Sequence, residues 1–468
     1  MLFNSLIFTI FLPIVFTVYW LVPSKHRNYF LLFASYYFYY SYNPWFLLLL
    51  IGTSGLDFFL AKKIASSANL NTKKQLLLIS LISNIGVLFV FKYFVFFFNS
   101  SVTLLGLPYS ILHQFIIPAG LSFYTFQSIS YTIDVYRGKY KPNDTLTDFL
   151  LFVSFFPHMV AGPIVRYKDL MPQLKFVSYF KSINWSQFAT LVIWGYFKKL
   201  VIADNLNLIV TPIFDNVTAF TGFELIIGGF LFVIQVYCDF SGYSDIATGI
   251  AKLFNINLSL NWRRPLLSKS LHEFWKRNHI SITNWFKDYL YIGLGGNRVS
   301  YKRWLLNIFL VFVISGFWHG ANFTFIVWGT LHGIFYILEL LLFKKFPDIK
   351  IPSAISRLYL LGFHTISLIA FRATTFSDLV SCYSTIFSNN TNYFSVAHLF
   401  NYQDRFYFFV ILLVVFILFL KELNEEYALI NRYKKTYLVL KPIVYISFVV
   451  LLFILGNFSA NTFIYFQF

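Results

Sequence analysis

Long apolar runs separated by short polar stretches dominate the hydrophobic pattern of this chain. Those near the length of a membrane-spanning helix lie at residues 3–22, 28–42, 45–61, 75–98, 185–203, 222–238, 305–318, 322–343, 354–371, 406–420 and 437–456, and shorter or interrupted ones at 115–135 and 146–165. Because about 20 apolar residues cross a bilayer as a helix, the pattern predicts about eleven or more spans. The expected fold is an all-α polytopic transmembrane helical bundle, with residues 1–468 forming a single integral-membrane domain.

Composition and charge narrow the class of protein. Hydrophobic residues make up 58% of the chain and charged residues only 12%, so most positions have no aqueous face. The first run, Phe3 to Val22, lacks a basic flank and a cleavage pattern, so we expect a retained helix and not a signal peptide. The formal charge of +18 suits cytoplasmic loops rich in Lys and Arg better than nucleic-acid binding. With only two cysteines, Cys238 and Cys382, a disulfide framework and a cysteine metal cluster are both excluded.

The central region from Asp239 to Tyr301 breaks the apolar pattern. It mixes ionisable residues with aromatic ones in pieces that are too polar to span and too apolar to float free. Such pieces are typical of interfacial or re-entrant helices, which are tolerated at membrane depth where they are buried in protein or line a wet cavity. The sequence therefore predicts a cavity in the middle of the bundle.

His319 is the most informative single residue. It follows the apolar run Leu305 to Trp318, whose 14 residues are worth about 21 Å of helix against a hydrocarbon core of about 30 Å. If Arg298 and Arg303 anchor the cytoplasmic interface, His319 lies within the bilayer, beyond its middle. An ionisable residue is costly there and marks a functional site by default. The competing interpretation is a histidine satisfied within the core.

The chemistry open to such a histidine is limited. A neutral imidazole takes a proton from an attacking hydroxyl and returns one to a leaving thiolate near neutral pH. His332, 13 residues further along the chain, is the neighbour that the sequence offers in support. The two do not form an i, i+4 pair, which disfavours a metal site, so no metal is expected.

Other polar residues allow two interpretations. His279 lies in a basic and aromatic segment and is either a site residue or an interfacial anchor at lipid headgroups. Asp239 and Asp245 belong to a polar cluster that either positions the donor or a histidine, or forms a buried hydrogen-bond network that fixes helix packing.

Ten short motifs occur in a fixed order along almost the whole chain. They are IPAGLSFYTFQ (117–127), IDVYRG (133–138), AGPIVRY (161–167), KKLVIAD (198–204), YCDFSGYSD (237–245), HEFW (272–275), WFKDYLYI (285–292), LGGNR (294–298), FWHGAN (317–322) and FIYFQF (463–468). Together they resemble the membrane-bound O-acyltransferase (MBOAT) superfamily, and within it the bacterial alginate and peptidoglycan O-acetyltransferases.

The resemblance implies a helical bundle around a central tunnel, which a cytoplasmic acyl donor enters from one side and a hydroxyl acceptor from the other. It also implies that His319 is catalytic and that His279 lies in a second signature region. The chain departs from the family's usual residues at Asn278 (Trp), Gly293 (Pro), Asn322 (Gly) and His158 (Gln). Asn278 adjoins His279, which puts the role of that histidine in doubt, while Asn322 is expected to support the His319 motif.

From this resemblance we expect an O-acetyltransferase of the bacterial inner membrane. Its donor would be acetyl-CoA, whose phosphates would contact Arg263, Arg264, Lys276 and Arg277. A periplasmic or surface acetyltransferase partner would receive the acetyl group for an extracytoplasmic polysaccharide. The AT-rich character of the residue usage favours peptidoglycan over alginate or another exopolysaccharide. The alternatives are a lipid or D-alanyl acyltransferase of the same superfamily and a solute or proton-coupled transporter.

Overall fold

The computed structural model describes residues 1–107, 111, 116–142, 144–388, 393–402, 404–428 and 434–459. Its described residues form helices and no strands, which confirms the all-α fold. The FIYFQF motif at 463–468 lies outside them. The helices are α1 (Leu6–Leu21), α2 (Arg27–Tyr40), α3 (Pro44–Ser66), α4 (Leu70–Leu88), α5 (Phe94–Leu104), α6 (Leu121–Tyr136), α7 (Leu146–Ser154), α8 (Phe156–Met159), α9 (Tyr167–Lys175), α10 (Trp185–Tyr196), α11 (Asp204–Asp215), α12 (Gly222–Lys252), α13 (Leu271–Arg277), α14 (Ile280–Trp285), α15 (Tyr301–His319), α16 (Phe323–Lys345), α17 (Ser353–Arg372), α18 (Phe376–Ile386), α19 (Leu399–Tyr402), α20 (Arg405–Tyr427) and α21 (Lys434–Leu455).

Each of the long apolar runs in the sequence falls on a helix, so the hydrophobic pattern located the main elements correctly. Among the described residues, six helical segments are long and apolar enough to cross a membrane, while α1 and the end of α21 are apolar but shorter. The six segments are Pro44–Ser66, Leu70–Leu104, Gly222–Lys252, Phe323–Lys345, Ser353–Arg372 and Arg405–Tyr427. These segments and the family identified below indicate a multi-pass membrane protein.

The central region differs from the expectation at its start. The apolar run predicted to end at residue 238 continues as helix α12 to Lys252, so Asp239 lies inside a long helix and not in a short polar piece. After α12 the chain does break into short elements, namely α13, α14 and π-helical turns at Phe286–Tyr291. These short helices confirm that the region after α12 is interrupted.

The chain divides into two compact units, with boundaries inside α10 and α12 and before Asn261. The first unit contains Met1–Val192 and Tyr243–Leu260. One of its buried acidic groups is paired by two neighbours: Asp57 accepts hydrogen bonds from Ser80 at 2.6 Å and from Asn84 at 2.8 Å. His158 is buried, and its Nδ1 accepts a hydrogen bond from Gln127 at 3.3 Å.

The second unit contains Ile193–Gly242 and Asn261–Phe468. Its α15 and α16 form a tight hairpin because small residues face each other at the crossing. A Cβ atom at Gly316 would collide with the carbonyl oxygen of Phe325, and one at Gly329 would lie 2.5 Å from the carbonyl oxygen of Phe312. Glycine at such positions lets helix backbones approach closely in a membrane. The hairpin places His319, at the end of α15, beside the first turns of α16.

Capping groups fix where the elements around His319 begin. Asn322 starts α16 by accepting from the amide of Thr324, and its own Nδ2 donates to the carbonyl oxygen of Thr374 at 2.7 Å. Glu339 of α16 accepts from the first amides of α13, at Leu271 (2.9 Å) and His272 (3.3 Å). A carboxylate satisfies amides that a helix start leaves unpaired, so α13 is held against α16.

Candidate functional site

A cavity of about 790 Å³ lies within the second unit. Aromatic and aliphatic side chains form most of its wall, and five of the nine histidines of the chain line it. These are His272, His279, His319, His332 and His364. The structure therefore confirms the predicted cavity. It brings four of the sequence-predicted site residues to the cavity wall, namely His319, His279, His332 and Lys276.

His319 is placed by the end of α15. Gly320 follows it in extended conformation, and a Cβ atom there would collide with the ring of Phe325. The imidazole of His319 contacts Trp328 edge-on at a centroid distance of 5.1 Å and Phe371 at 5.3 Å. Helix α15 ends at this residue. The ring is partly buried and lines the cavity beside Trp328 of α16 and Phe371 of α17.

His279 joins α13 to α14 and is fully buried. Its backbone adopts the left-handed conformation with φ of 42°, which is uncommon for a residue with a side chain. Its Nδ1 lies 3.2 Å from Oδ1 of Asn261, an oxygen that also accepts from the amide and the hydroxyl of Ser281. An amide oxygen only accepts, so Nδ1 of His279 carries the proton and Nε2 carries the lone pair. The ring packs edge-on against Phe240 at 4.5 Å.

His332 and His364 form a second pair on α16 and α17. Their rings stack with centroids 5.6 Å apart and planes inclined by 28°, and both are buried. Trp328 connects this pair to the His319 end of the cavity, since its ring is 4.6 Å from His332. The sequence analysis missed His364. The signal that found His319, an ionisable residue within an apolar run, was also present at residue 364.

The open end of the cavity is polar. His272 and Lys276 lie one turn apart on α13, are exposed, and line the cavity. Nδ1 of His272 is 2.8 Å from the hydroxyl of Tyr336. Burial, reinforced by the charge of nearby Lys276, lowers the pKa of His272, so this imidazole is neutral at pH 7.

The four basic residues expected at the donor phosphates are in different situations. Lys276 lines the cavity, while Arg263, Arg264 and Arg277 do not. Arg264 contacts Glu426 at 2.9 Å, and Arg277 contacts the same carboxylate at 2.8 Å and Glu273 at 2.6 Å. In the described part of the chain Arg263 and Lys276 make no ion pair. Of these four residues, Lys276 and Arg263 are therefore available to a ligand without breaking an existing ion pair.

The residues expected to support the site have different surroundings. Asp239 lies in a buried ion-pair cluster: Nζ of Lys199 is 2.6 Å from Asp239 and 2.9 Å from Asp204. This pairing favours the packing interpretation of Asp239. Asp245 is partly buried and belongs to the first unit. Asn322 is the capping residue described above and acts on the turn that follows His319.

Among the described residues there is no group of three or more histidine, cysteine or acidic side chains that could hold a metal ion. The histidines around the cavity instead contact aromatic rings. Hydrogen bonding and proton transfer are the chemistry that these residues can perform themselves.

Comparison with known proteins gives one consistent result. The family model described as MBOAT, membrane-bound O-acyltransferase family, matches residues 144–385. The chain is 38% identical over 344 residues to a probable alginate O-acetylase, AlgI, of Pseudomonas aeruginosa, covering 72% of this chain and 66% of the relative. It is 36% identical over 369 residues to a peptidoglycan O-acetyltransferase of Helicobacter pylori, covering 71% and 69%. It is 28% identical over 246 residues to a teichoic acid D-alanyltransferase of Bacillus subtilis, covering 48% and 60%.

The aligned parts span about two thirds of the length of the first two relatives. The family match covers about half of the chain and includes α12 to α17, the helices that build the cavity. The chain belongs to the membrane-bound O-acyltransferase family.

Proposed function

We propose that this protein is a membrane O-acetyltransferase that takes an acetyl group from acetyl-CoA on the cytoplasmic side and passes it across the membrane for O-acetylation of an extracytoplasmic polysaccharide. The observation that carries the proposal is the position of His319, on the wall of an aromatic cavity that has a basic open end. The names of the alginate and peptidoglycan relatives support acetyl as the group transferred.

In the proposed reaction His319 serves first as a base and then as an acid. It takes the proton of the attacking hydroxyl, whose oxygen forms a bond to the acetyl carbonyl carbon. As the tetrahedral intermediate collapses, the C–S bond breaks and the thiolate leaves. The imidazolium then returns its proton to the thiolate sulfur, so the products are an acetyl ester and free CoA thiol. The walls of Trp328 and Phe371 limit the water that competes with the acceptor.

His279 is the second catalytic residue in the proposal. Its Nδ1 proton is held by Asn261, so its Nε2 can accept a hydrogen bond but cannot donate one while the ring is neutral. Such a group does not stabilise the developing oxyanion, which needs donors. Because the proton of the attacking hydroxyl goes to His319, we assign His279 to orienting the substrate by accepting a hydrogen bond from another of its groups.

The donor's phosphates are assigned to the open end of the cavity. Lys276 lines that end and Arg263 is exposed, so both are available for charged hydrogen bonds to phosphate. Arg264 and Arg277 would have to exchange Glu426 for phosphate, which makes them the weaker candidates.

The acceptor side involves a separate protein in this proposal. The chain itself would lie in the bacterial inner membrane. A second acetyltransferase, in the periplasm or at the cell surface, would receive the acetyl group and modify the polymer. Peptidoglycan is the first acceptor to test, followed by alginate or another exopolysaccharide. The two relatives support both polymers to the same degree, with identities of 36% and 38%.

Two measurements test the function. In inverted membrane vesicles, acetyl-CoA labelled in the acetyl group should be consumed only when the protein is present. In cells, mass spectrometry of cell wall and exopolysaccharide should reveal a loss of O-acetyl groups from one polymer in a deletion strain. If the purified protein consumed the donor and modified the polymer efficiently without any partner, the partner assignment would be refuted.

D-alanyl transfer is the second candidate function, because the teichoic acid D-alanyltransferase also matches this chain. Presenting the vesicles with labelled acetyl-CoA and with a labelled D-alanyl thioester separates the two. A transporter remains the candidate of another class, and it predicts solute or proton flux through reconstituted protein without consumption of any acyl donor.

A further inference from the structure

The proposed transfer leaves two of the cavity's buried histidines without a task. His332 and His364 are 1% and 4% exposed, on neighbouring helices α16 and α17. Both line the cavity, and neither belongs to a motif that carried the family resemblance. Their role has to be inferred from what their ring nitrogens contact.

The hydrogen bonds of His332 define its tautomer. Its Nε2 lies 3.4 Å from the hydroxyl of Ser367, and that hydroxyl lies 3.3 Å from the carbonyl oxygen of residue 364. Ser367 has one proton to donate and the carbonyl oxygen can only accept, so Ser367 accepts from Nε2–H of His332. The Nδ1 atom of His332 is then an acceptor, and no described residue donates to it.

His364 has even fewer partners. Its ring packs on Phe274, with centroids 3.9 Å apart, and on His332. Within the described part of the chain, neither of its ring nitrogens makes a hydrogen bond, and Nε2 is among the fully buried atoms that lack a partner. Leaving such a group unpaired costs about 1–3 kcal/mol, and because His364 lines the cavity, a ligand bound there can supply the partner.

The position of the pair along the cavity identifies that partner. Trp328, His332, Tyr336 and Leu340 follow one another at four-residue spacing on α16 and all line the cavity. They lie on one face of the helix, and each is about 6 Å further along the helix axis than the one before. At one end of this row the ring of Trp328 contacts His319, and further along the hydroxyl of Tyr336 contacts His272. His332 is therefore midway between the reacting end and the basic open end.

We propose that His332 and His364 hydrogen-bond an amide group in the aliphatic arm of the thioester donor. This inference rests on the proposed function, in which the anionic head lies at the open end and the thioester at His319. A donor that spans these ends must pass the histidine pair with its arm. The pantetheine arm shared by CoA and acyl carrier proteins offers an N–H donor for Nδ1 of His332 and a carbonyl oxygen for an N–H of His364. Both partners are neutral, as the aromatic wall requires.

Binding of acetyl-CoA to the purified protein in detergent, measured by titration calorimetry, tests the proposal. In His332→Phe and His364→Phe the ring is kept and the nitrogens are removed. We expect the Kd for acetyl-CoA to rise about fivefold to tenfold in each, as for the loss of one neutral hydrogen bond. The rate at saturating acetyl-CoA should change less than twofold. His364→Gln, which restores a donor and an acceptor, should recover most of the affinity.

The matched control is His158→Phe, which alters a buried histidine of the first unit that does not line the cavity, and its Kd should equal that of the wild type. Unchanged affinity in folded His332→Phe and His364→Phe would overturn the inference, because the nitrogens would then serve water or packing alone. A lower saturating rate with unchanged Kd would also overturn it. Wild-type protein that binds no acetyl-CoA would instead refute the donor assigned under the proposed function.

Discussion

Two polar regions of the second unit differ in how their polar groups are paired. Around Lys199 the buried charges are paired, since one ammonium group contacts the carboxylates of Asp204 and Asp239 within 3 Å. In the cavity the polar groups are imidazoles set among aromatic rings, and His332 and His364 keep nitrogens that no described residue pairs. In an apolar chain, burying an ionised residue or an imidazole costs folding free energy. We infer from this difference that the Lys199 cluster is structural, and that the incompletely paired imidazoles on the cavity wall are placed to contact a ligand.

The largest effect is expected at the reacting end of the cavity. His319→Ala removes the base and acid of the proposed transfer, which is worth about 10²- to 10⁴-fold in rate. Acetyl transfer from labelled acetyl-CoA in vesicles should fall by that factor. The melting temperature should stay near that of the wild type, because the ring is only partly buried. Near-wild-type transfer by this variant would remove His319 from the mechanism.

The ion-pair cluster should respond in the opposite way. Lys199→Ala leaves two buried carboxylates, Asp204 and Asp239, without their counter-ion, which costs about 3–5 kcal/mol of folding free energy. We expect a large fall in melting temperature and in membrane yield. The rate per folded molecule should change little. Lys269→Ala, at an exposed lysine without an ion pair among the described residues, is the control and should leave stability unchanged. Equal stability of the two variants would mean that the cluster is not structural.

The helices and the candidate polar residues of these two regions could be predicted from the sequence, but not which polar residues pair with each other. The apolar runs located the helices because a hydrophobic span is a local property of the chain, and His319 was found because a histidine in such a run is conspicuous. His364 carries the same local signal, so it could have been found as well. Asp239 and Lys199 lie 40 residues apart, and Arg277 and Glu426 lie 149 apart. Which charges pair over such separations depends on tertiary packing, so the sequence could offer only a list of candidate residues.

The helix hairpin that positions His319 gives an intermediate effect. Gly329→Leu places a side chain against the backbone of α15 at the crossing of α15 and α16, and overpacking of this kind costs about 1–3 kcal/mol. Because His319 is three residues beyond Gly316 on α15, we expect both the melting temperature and the transfer rate to fall. Gly362→Leu is the control, since a Cβ atom there meets no other atom within 4 Å. A normal rate in Gly329→Leu would show that the hairpin tolerates separation without moving the histidine.

The smallest effect is expected at the open end of the cavity, where a charge meets solvent. Lys276 is exposed and has no ion-pair partner in the described residues, so Lys276→Ala should leave the melting temperature unchanged. If it contacts a donor phosphate, its loss should raise the KM for acetyl-CoA about twofold to fivefold, because an exposed charge pair contributes at most about 1 kcal/mol. The increase should shrink as salt is added, since ions screen exposed charges. Lys269→Ala again serves as the control, because it removes the same charge from a neighbouring position that does not line the cavity. A KM that rises equally in both variants would indicate general attraction by a basic surface, whereas a rise confined to Lys276→Ala would place the anionic end of the donor at the mouth of the cavity.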